Sequence, residues 1–318
     1  MAGEPDAPGA EDGFESREDV WRWFREARNW GRWGRDDERG TINLITPEKR
    51  RQAAGLVRTG EILSLCRPFP LERAPNNPAP AQRYTTVVER GPVAGSAVDY
   101  LGINTHGTAS THLDALCHMW DEDGMWNGRD PAREITTDGT RFAGIEAFAA
   151  GIVTRGVLLD VPRHRGLPYV TQDRPVTGAE LADVARAQGV AIEPGDAILV
   201  HSGRERWDAE NTSWGAGSLD VGSSRRPGLH VSCLKFLRRV DAALLVWDMM
   251  DVRPNGFELA FAVHACIWVL GMPLVDNALL EPLARTCAEQ GRWEFLLCIA
   301  PLAVKGATGS PVNPIALL

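Results

Sequence analysis

The sequence predicts a mixed α/β domain, and three observations carry the prediction. Apolar strand-like runs recur along the chain as GVLLDVP, DAILVHSG and AALLVWDMM; helical stretches such as TGAELADVARAQG and SCLKFLRRV separate them; turn signals such as Glu193-Pro194-Gly195 mark the joins. Strands that are apolar throughout belong in a sheet covered on both faces, and their alternation with helices is the α/β pattern. No internal repeat or low-complexity linker interrupts the chain beyond its first residues, so residues 17 to 318 are expected to form one domain.

Residues 1 to 16, MAGEPDAPGAEDGFES, are acidic and rich in Gly, Pro and Ala, and are expected to be a mobile tail. Ser16 then caps an N-terminal helical arm that runs to about Arg28 and carries part of a tryptophan group, Trp21, Trp23, Trp30 and Trp33. Trp30 and Trp33 either pack the arm onto the body or form an aromatic wall for a flat substrate. Thr46-Pro47 opens a helix, EILSLCRPFP reads as a strand, and LERAPNNPAPAQR as a long loop. RYTTVVERG is a strand by its β-branched content, and AVDYLGIN is a further apolar stretch. RFAGIEAFAAG reads as a helix; ELAFAVHACIWVL reads as a buried helix stopped by Gly271, with MPLVD a strand delivering Asp276 at its end.

Composition excludes several functions. The 318 residues carry a net charge of −8, which argues against general nucleic-acid binding. No apolar run reaches membrane-spanning length and no secretory segment opens the chain. The six cysteines form no CxxC pair and sit mostly in apolar runs, as reduced thiols of a cytoplasmic protein do.

Chemistry concentrates in HGTASTHLDALCH, His106 to His118, where three histidines and one aspartate occur with no lysine or arginine. Neutral imidazoles and carboxylates are the ligands of Zn²⁺ and Mn²⁺, and a cation among them would repel the ion. His106, His112, Asp114 and His118 are separated by even intervals, so extended backbone points them to one face. Gly107 implies a bulge or loop between His106 and His112. His264 and Asp276 complete a metal shell if the fold brings them to this cluster. His201 and Arg204, in HSGRERW, are candidates for binding a substrate carboxylate, and Cys117 for a nucleophile.

Four segments, HGTASTHLDALCH, GVLLDVPRHRG, EPGDAILVHSG and the closing PLAVKGATGSPVNPIAL, resemble in that order the cyclase-like metal-dependent hydrolases, the group of bacterial kynurenine formamidase and isatin hydrolase. The resemblance spans residues 29 to 318 and is nearest to the longer, poorly assigned members. It implies a swivelling β/β/α fold with a mixed sheet, a homodimer or homotetramer, and a divalent cofactor, Zn or Mn. It further implies that His112 and Asp114 are metal ligands and His118 the catalytic acid/base, with His264 and Asp276 at the spacing of the downstream ligands. Thr108 stands where the better-known members carry another histidine, and the nearest imidazole is His106. RPFPLERAPNNPAP also lacks the tryptophan that formamidase members carry there.

The expected function is hydrolysis of a cyclic amide, amide or lactone by a metal-activated water with histidine acid/base help, on a small-molecule substrate. The alternatives are a metal-dependent cyclase or dehydratase of natural-product assembly, and a non-catalytic ligand-binding protein on the same fold.

Overall fold

A computed structural model describes residues 13–89, 94–211 and 225–318. The strands are β1 (Ile62–Ser64), β2 (Gln82–Glu89), β3 (Gly95–Gly102), β4 (His112–Asp114), β5 (Ile135–Thr136), β6 (Gly139–Thr140), β7 (Ile152–Asp160), β8 (Ala197–His201), β9 (Leu244–Trp247), β10 (Leu274–Asp276), β11 (Glu294–Ile299), β12 (Gly309–Pro311) and β13 (Ile315–Leu317). The helices are α1 (Arg17–Glu26), α2 (Pro47–Ala54), α3 (Pro131–Glu134), α4 (Val161–Arg165), α5 (Gly178–Ala187), α6 (Arg204–Glu210), α7 (Cys233–Arg239) and α8 (Glu281–Gln290).

One nine-stranded sheet runs β1-β13-β11-β7-β8-β9-β10-β4-β12. Its centre, β7 to β10, is parallel, and every pairing outside that centre is antiparallel. Strands β8, β9 and β10 are buried at every residue, as the unbroken apolar runs require, while β11 alternates between buried and half-buried positions. Helix α2 packs on β7 and β11, and α5 packs on α7 and β7. The cap expected at Ser16 forms, and Thr46 and Thr177 cap α2 and α5 in the same way, each accepting a backbone N–H three residues on. Strands β2 and β3 make a separate hairpin that joins, through the loops at its feet, the walls of the site described below. Among the described residues no helix is long and apolar enough to cross a membrane.

The fold departs from the sequence reading at three places. Residues 1–12 of the expected tail lie outside the described residues, but its last part is held: Phe14 packs edge-on against Trp23 and Phe257, and Lys235 Nζ donates to the Gly13 carbonyl. The helix expected in RFAGIEAFAAG is only a single tight turn, Ile145–Phe148. Ala143 at φ 55° precedes it, and the Ile145 N–H donates to Ala307 rather than into a helix. The helix expected over ELAFAVHACIWVL shrinks to one π turn, Cys266–Leu270. Upstream, side chains take the donors a helix would use: Asn255 accepts from the N–H groups of Phe257 and Leu259, and Asp251 from those of Val263 and His264. Glu258, at φ 54°, breaks the helical run outright.

Candidate metal centre

Strand β4 lies between β10 and β12, with His112 opposite Asp276 and Pro311, and Asp114 opposite Leu274 and Gly309. Alternation puts His112 and Asp114 on one face, and cross-strand pairing puts Asp276 beside His112 on that face. A short strand thus gathers two ligand candidates and recruits a third from more than 160 residues away. All three are at most 1% exposed.

His106 arrives from the loop before β4, and His264 from the segment before the π turn. His106 Nδ1 is 2.8 Å from Asp114 Oδ1, His112 Nε2 is 3.5 Å from the same oxygen, and His118 Nε2 is 4.0 Å from it. His112 Nε2 is also 3.7 Å from Asp276 Oδ2, to which His264 Nε2 comes within 3.3 Å. Three imidazoles are fixed at their far nitrogens, which aims the near ones at the carboxylates. His112 Nδ1 lies 2.8 Å from the Ser110 carbonyl, His106 Nε2 2.9 Å from Thr308 Oγ1, and His264 Nδ1 2.6 Å from Asp251 Oδ2. Such outer partners set the tautomer of a metal-binding histidine. Trp247 Nε1 likewise donates to Asp276 Oδ1.

Asp114 decides whether an ion fits. It is fully buried, and neither carboxylate oxygen has a hydrogen-bond partner. An isolated buried carboxylate is costly, and this one is surrounded by imidazole nitrogens without aligned N–H donors. A cation is what that donor set lacks. Two overlapping groups have ligand atoms within 4.8 Å of one another: His106, His112 and Asp114, and Asp114, His264 and Asp276. Asp114 belongs to both.

Electrostatics follow from the crowding. Burial favours protonation of Asp114, but His118, His106 and His112 outweigh it and hold the carboxyl below its usual range. Burial, helped by the other imidazoles, lowers His118 to about 4 against the pull of Asp114, so it is neutral near pH 7. Its ring stacks on His106 at 3.6 Å between centroids. Burial opposes the proton of His264 too, yet Asp251 and Asp276 prevail and raise it to about 10. Burial pushes the Cys117 thiol up to about 12, so it is no nucleophile at neutral pH.

The His264 value has a sign that can be tested. A folded pKa of about 10 exceeds the unfolded value of about 6.5, so the stabilisation from its proton is complete below about 6.5 and fades as pH rises through about 10. In protein stripped of divalent ions, stability is therefore expected to fall across that window. An ion bound at His264 must displace the proton, so uptake near pH 7 should release about one proton at this group. Calorimetry in buffers of different ionisation enthalpy reads that release, and an enthalpy independent of buffer would contradict it.

Gly309 makes room for His106: a Cβ there would lie 2.7 Å from His106 Cε1 and 2.8 Å from the Leu113 carbonyl oxygen. Gly309→Ala is expected to cost about 1–3 kcal/mol through overpacking, and to weaken metal binding if His106 is a ligand. Thermal unfolding and a metal titration measure the two effects separately; an unchanged titration would remove His106 from the ligand set.

The centre opens on a cavity of about 410 Å³ whose wall includes His106, His112, His118, His264 and Asp276. Thr108 is also in the wall, its hydroxyl donating to the Asn76 carbonyl. The proposed substrate contacts lie elsewhere. Trp30 Nε1 donates to the Trp268 carbonyl and Trp33 packs beside Trp126, so both fasten the arm to the body. His201 bonds Asp160 at the ends of β7 and β8. Arg204 is buried and binds the Asn277 side chain and the carbonyls of Thr108 and Asp248; it braces the loop that carries His106 instead of facing the cavity. His201, Glu205 and Asp248 form a third close group. There, however, Asp248 accepts from the backbone N–H groups of residues 202 to 204, and Glu205 faces the Arg67 guanidinium at 2.5 Å.

Sequence reasoning missed Asp251, Asn277, Arg226 and Arg253. Asp251 had a legible signal, an acid just past the apolar run AALLVWDMM. Asn277 donates to the carbonyls of Gly107 and Ser110 and so fixes the ligand loop.

Comparison with known proteins places the chain in a family. Residues 45–253 match the family described as "Putative cyclase". A crystal structure of a novel cyclase is 30% identical, covers 93% of this chain and 99% of its own, and superposes with a TM-score of 0.80. An isatin hydrolase bound to the product analogue thioisatinate is 15% identical over 83% of this chain and 94% of its own, with a TM-score of 0.55. Isatin hydrolase A from Ralstonia solanacearum is 16% identical over 83% and 93%, with a TM-score of 0.52. At those identities the isatin hydrolases share the fold. No curated protein sequence matches the chain. The match over most of the chain, with the close superposition on the novel cyclase, makes this protein a member of the cyclase family.

Proposed function

We propose that this protein is a metal-dependent hydrolase of a cyclic amide, amide or lactone, acting on a small molecule as a cytoplasmic homodimer or homotetramer. The observation that carries the reading is Asp114, a buried carboxylate without a hydrogen bond, faced by three imidazole nitrogens beside an open cavity. His112, Asp114 and His106 would hold one ion, and Asp114, His264 and Asp276 a second. Zn²⁺ or Mn²⁺ bound there supplies Lewis acidity, which polarises a carbonyl and acidifies water.

The protein's own groups do the rest. His118, neutral near pH 7 and in the cavity wall, takes a proton on its imidazole from the attacking water and returns it to the leaving nitrogen or oxygen. Ser110, Thr308 and Asp251 keep the other three imidazoles oriented. Met119, Met250 and Phe261 line the cavity with apolar surface that excludes bulk water.

Family membership favours a second reading, ring closure or loss of water on the same centre. Protein loaded with Zn²⁺ or Mn²⁺ is incubated with N-formyl arylamines, cyclic imides and lactones, and the products are weighed. Hydrolysis predicts products that together carry one added water, a ring-opened acid from a cyclic substrate or formate and an amine from a formamide, with kcat reduced roughly 100- to 10,000-fold in His118→Ala. Products isomeric with the substrate, or lighter by one water, would replace hydrolysis by the cyclase or dehydratase reading. Binding without turnover in every class would leave the non-catalytic reading.

A further inference from the structure

Two arginines stand in the wall of the same cavity, Arg226 and Arg253, only 4% and 6% exposed. They face each other in an isolated antiparallel bridge: the Arg226 N–H donates to the Arg253 carbonyl and the Arg253 N–H to the Arg226 carbonyl, both at 3.0 Å. Residues paired in this way project their side chains to the same side, with Cα atoms about 5.5 Å apart. Like charges directly opposite one another destabilise a strand pair, and burial removes the water that would screen them. Both side chains nevertheless contribute to the wall of the cavity.

The surroundings of Arg226 favour an anion. Arg226 donates through Nε to the Asp251 carbonyl at 2.8 Å, while Nη2 is 3.4 Å from Asp251 Oδ2 and Nη1 3.9 Å from the Met250 sulfur. Those contacts use three of the five N–H donors of a guanidinium, and two of them are long. The carboxylate that Arg226 contacts among the described residues is shared, because the same Asp251 Oδ2 lies 2.6 Å from His264 Nδ1. Arg253 donates to the Ala260 carbonyl and lies over the Phe261 ring, 4.9 Å from its centroid. Through Asp251, Arg226 stands one side chain away from His264 of the metal centre, within the span of one small molecule. Met119, Met250 and Phe261 add apolar surface to the same cavity wall.

We propose that Arg226 and Arg253 form a carboxylate-recognition site, so that the substrate is an amide, cyclic amide or lactone carrying a carboxylate on an apolar body. This rests on the hydrolase reading for the reacting bond, but not for the recognition. The guanidinium pair receives the carboxylate in the planar, two-donor geometry that arginine provides, while the scissile carbonyl faces the metal centre.

The test begins with protein stripped of divalent ions, so that an ion cannot itself bind the probe, and compares benzoate with benzamide by calorimetry. Benzoate is expected to bind at least tenfold more tightly. Arg226→Gln and Arg253→Gln should each weaken benzoate roughly 10- to 100-fold, the loss of one charge-assisted hydrogen bond, and leave benzamide unchanged. Arg226→Lys keeps the charge and should fall between, and it carries the test if Arg226→Gln does not fold. Metal uptake by each variant is measured alongside, since an unchanged ion content excludes a collapsed centre. In the loaded enzyme, 2-formamidobenzoate should exceed formanilide in kcat/KM by the same factor, and that preference should vanish in Arg253→Gln. Equal binding of benzoate and benzamide, no binding of benzoate, or benzoate binding unmoved by the variants would overturn the proposal. Discrimination without hydrolysis of either anilide would leave the recognition site standing and remove the hydrolase reading.

Discussion

Asp114→Asn is expected to lower divalent-metal affinity by more than about 100-fold, beyond the tenfold to 100-fold usual for loss of an outer partner. Asp114 is the residue common to both candidate ligand groups, so its loss reaches both ions, whereas a change at His106 or His264 reaches one. The substitution preserves volume at a position with no exposure, between β10 and β12. It also removes a carboxylate whose oxygens have no hydrogen bond. Stripped of ions, the variant should unfold below the wild type, because it loses the charge that the surrounding imidazoles hold in place, but it should remain folded at the temperature of the titration. Competition with a chromogenic chelator measures the affinity, and thermal unfolding supplies the control. Full affinity in a folded variant would place the ions elsewhere.

Asp251→Asn is expected to destabilise the protein by about 3–5 kcal/mol, the range for removing one partner of a buried ion pair. Asp251 is fully buried, accepts from the Val263 and His264 N–H groups and from His264 Nδ1, and faces Arg226. Burial works against its charge, but His264 and Arg226 outweigh burial and hold it well below the usual carboxylate range. A depressed folded value gives stability that is present above about pH 3.9 and lost only as pH falls below it. The destabilisation should therefore appear in full at neutral pH and shrink in strong acid. Metal affinity should drop by a further tenfold to 100-fold, because His264 loses the acceptor that fixes its tautomer. Urea unfolding across pH checks the first effect and chelator competition the second. A variant as stable as wild type at pH 7 would show that Asp251 is not what holds His264.

The two effects separate what was legible in the sequence from what was not. His112 and Asp114 share a face because they are two apart in a strand, and that period is visible in the letters. The buried runs of β7, β8 and β9 were visible for the same reason: strands inside a covered sheet are apolar throughout. His264 reaches the centre, though not on the expected helix. An apolar run is equally compatible with a helix and with buried irregular backbone, and here Asn255 and Asp251 take the donors that decide between them. HSGRERW offers Arg204 as a carboxylate binder, yet its partners Thr108 and Asn277 come from segments 96 and 73 residues away, which no local pattern shows. Arg226 and Arg253 meet through a single bridge between loops, which leaves no periodic trace in sequence.

Ion content measures directly whether this cluster is a metal centre. Protein purified without added metal is analysed for divalent ions per chain, as wild type and as a His112→Ala/Asp114→Ala double variant. The two overlapping ligand groups predict about one or two equivalents in the wild type and none in the variant. A wild type that holds no ion, even after incubation with Zn²⁺ and Mn²⁺, would contradict the claim and leave a ligand-binding protein on a cyclase fold.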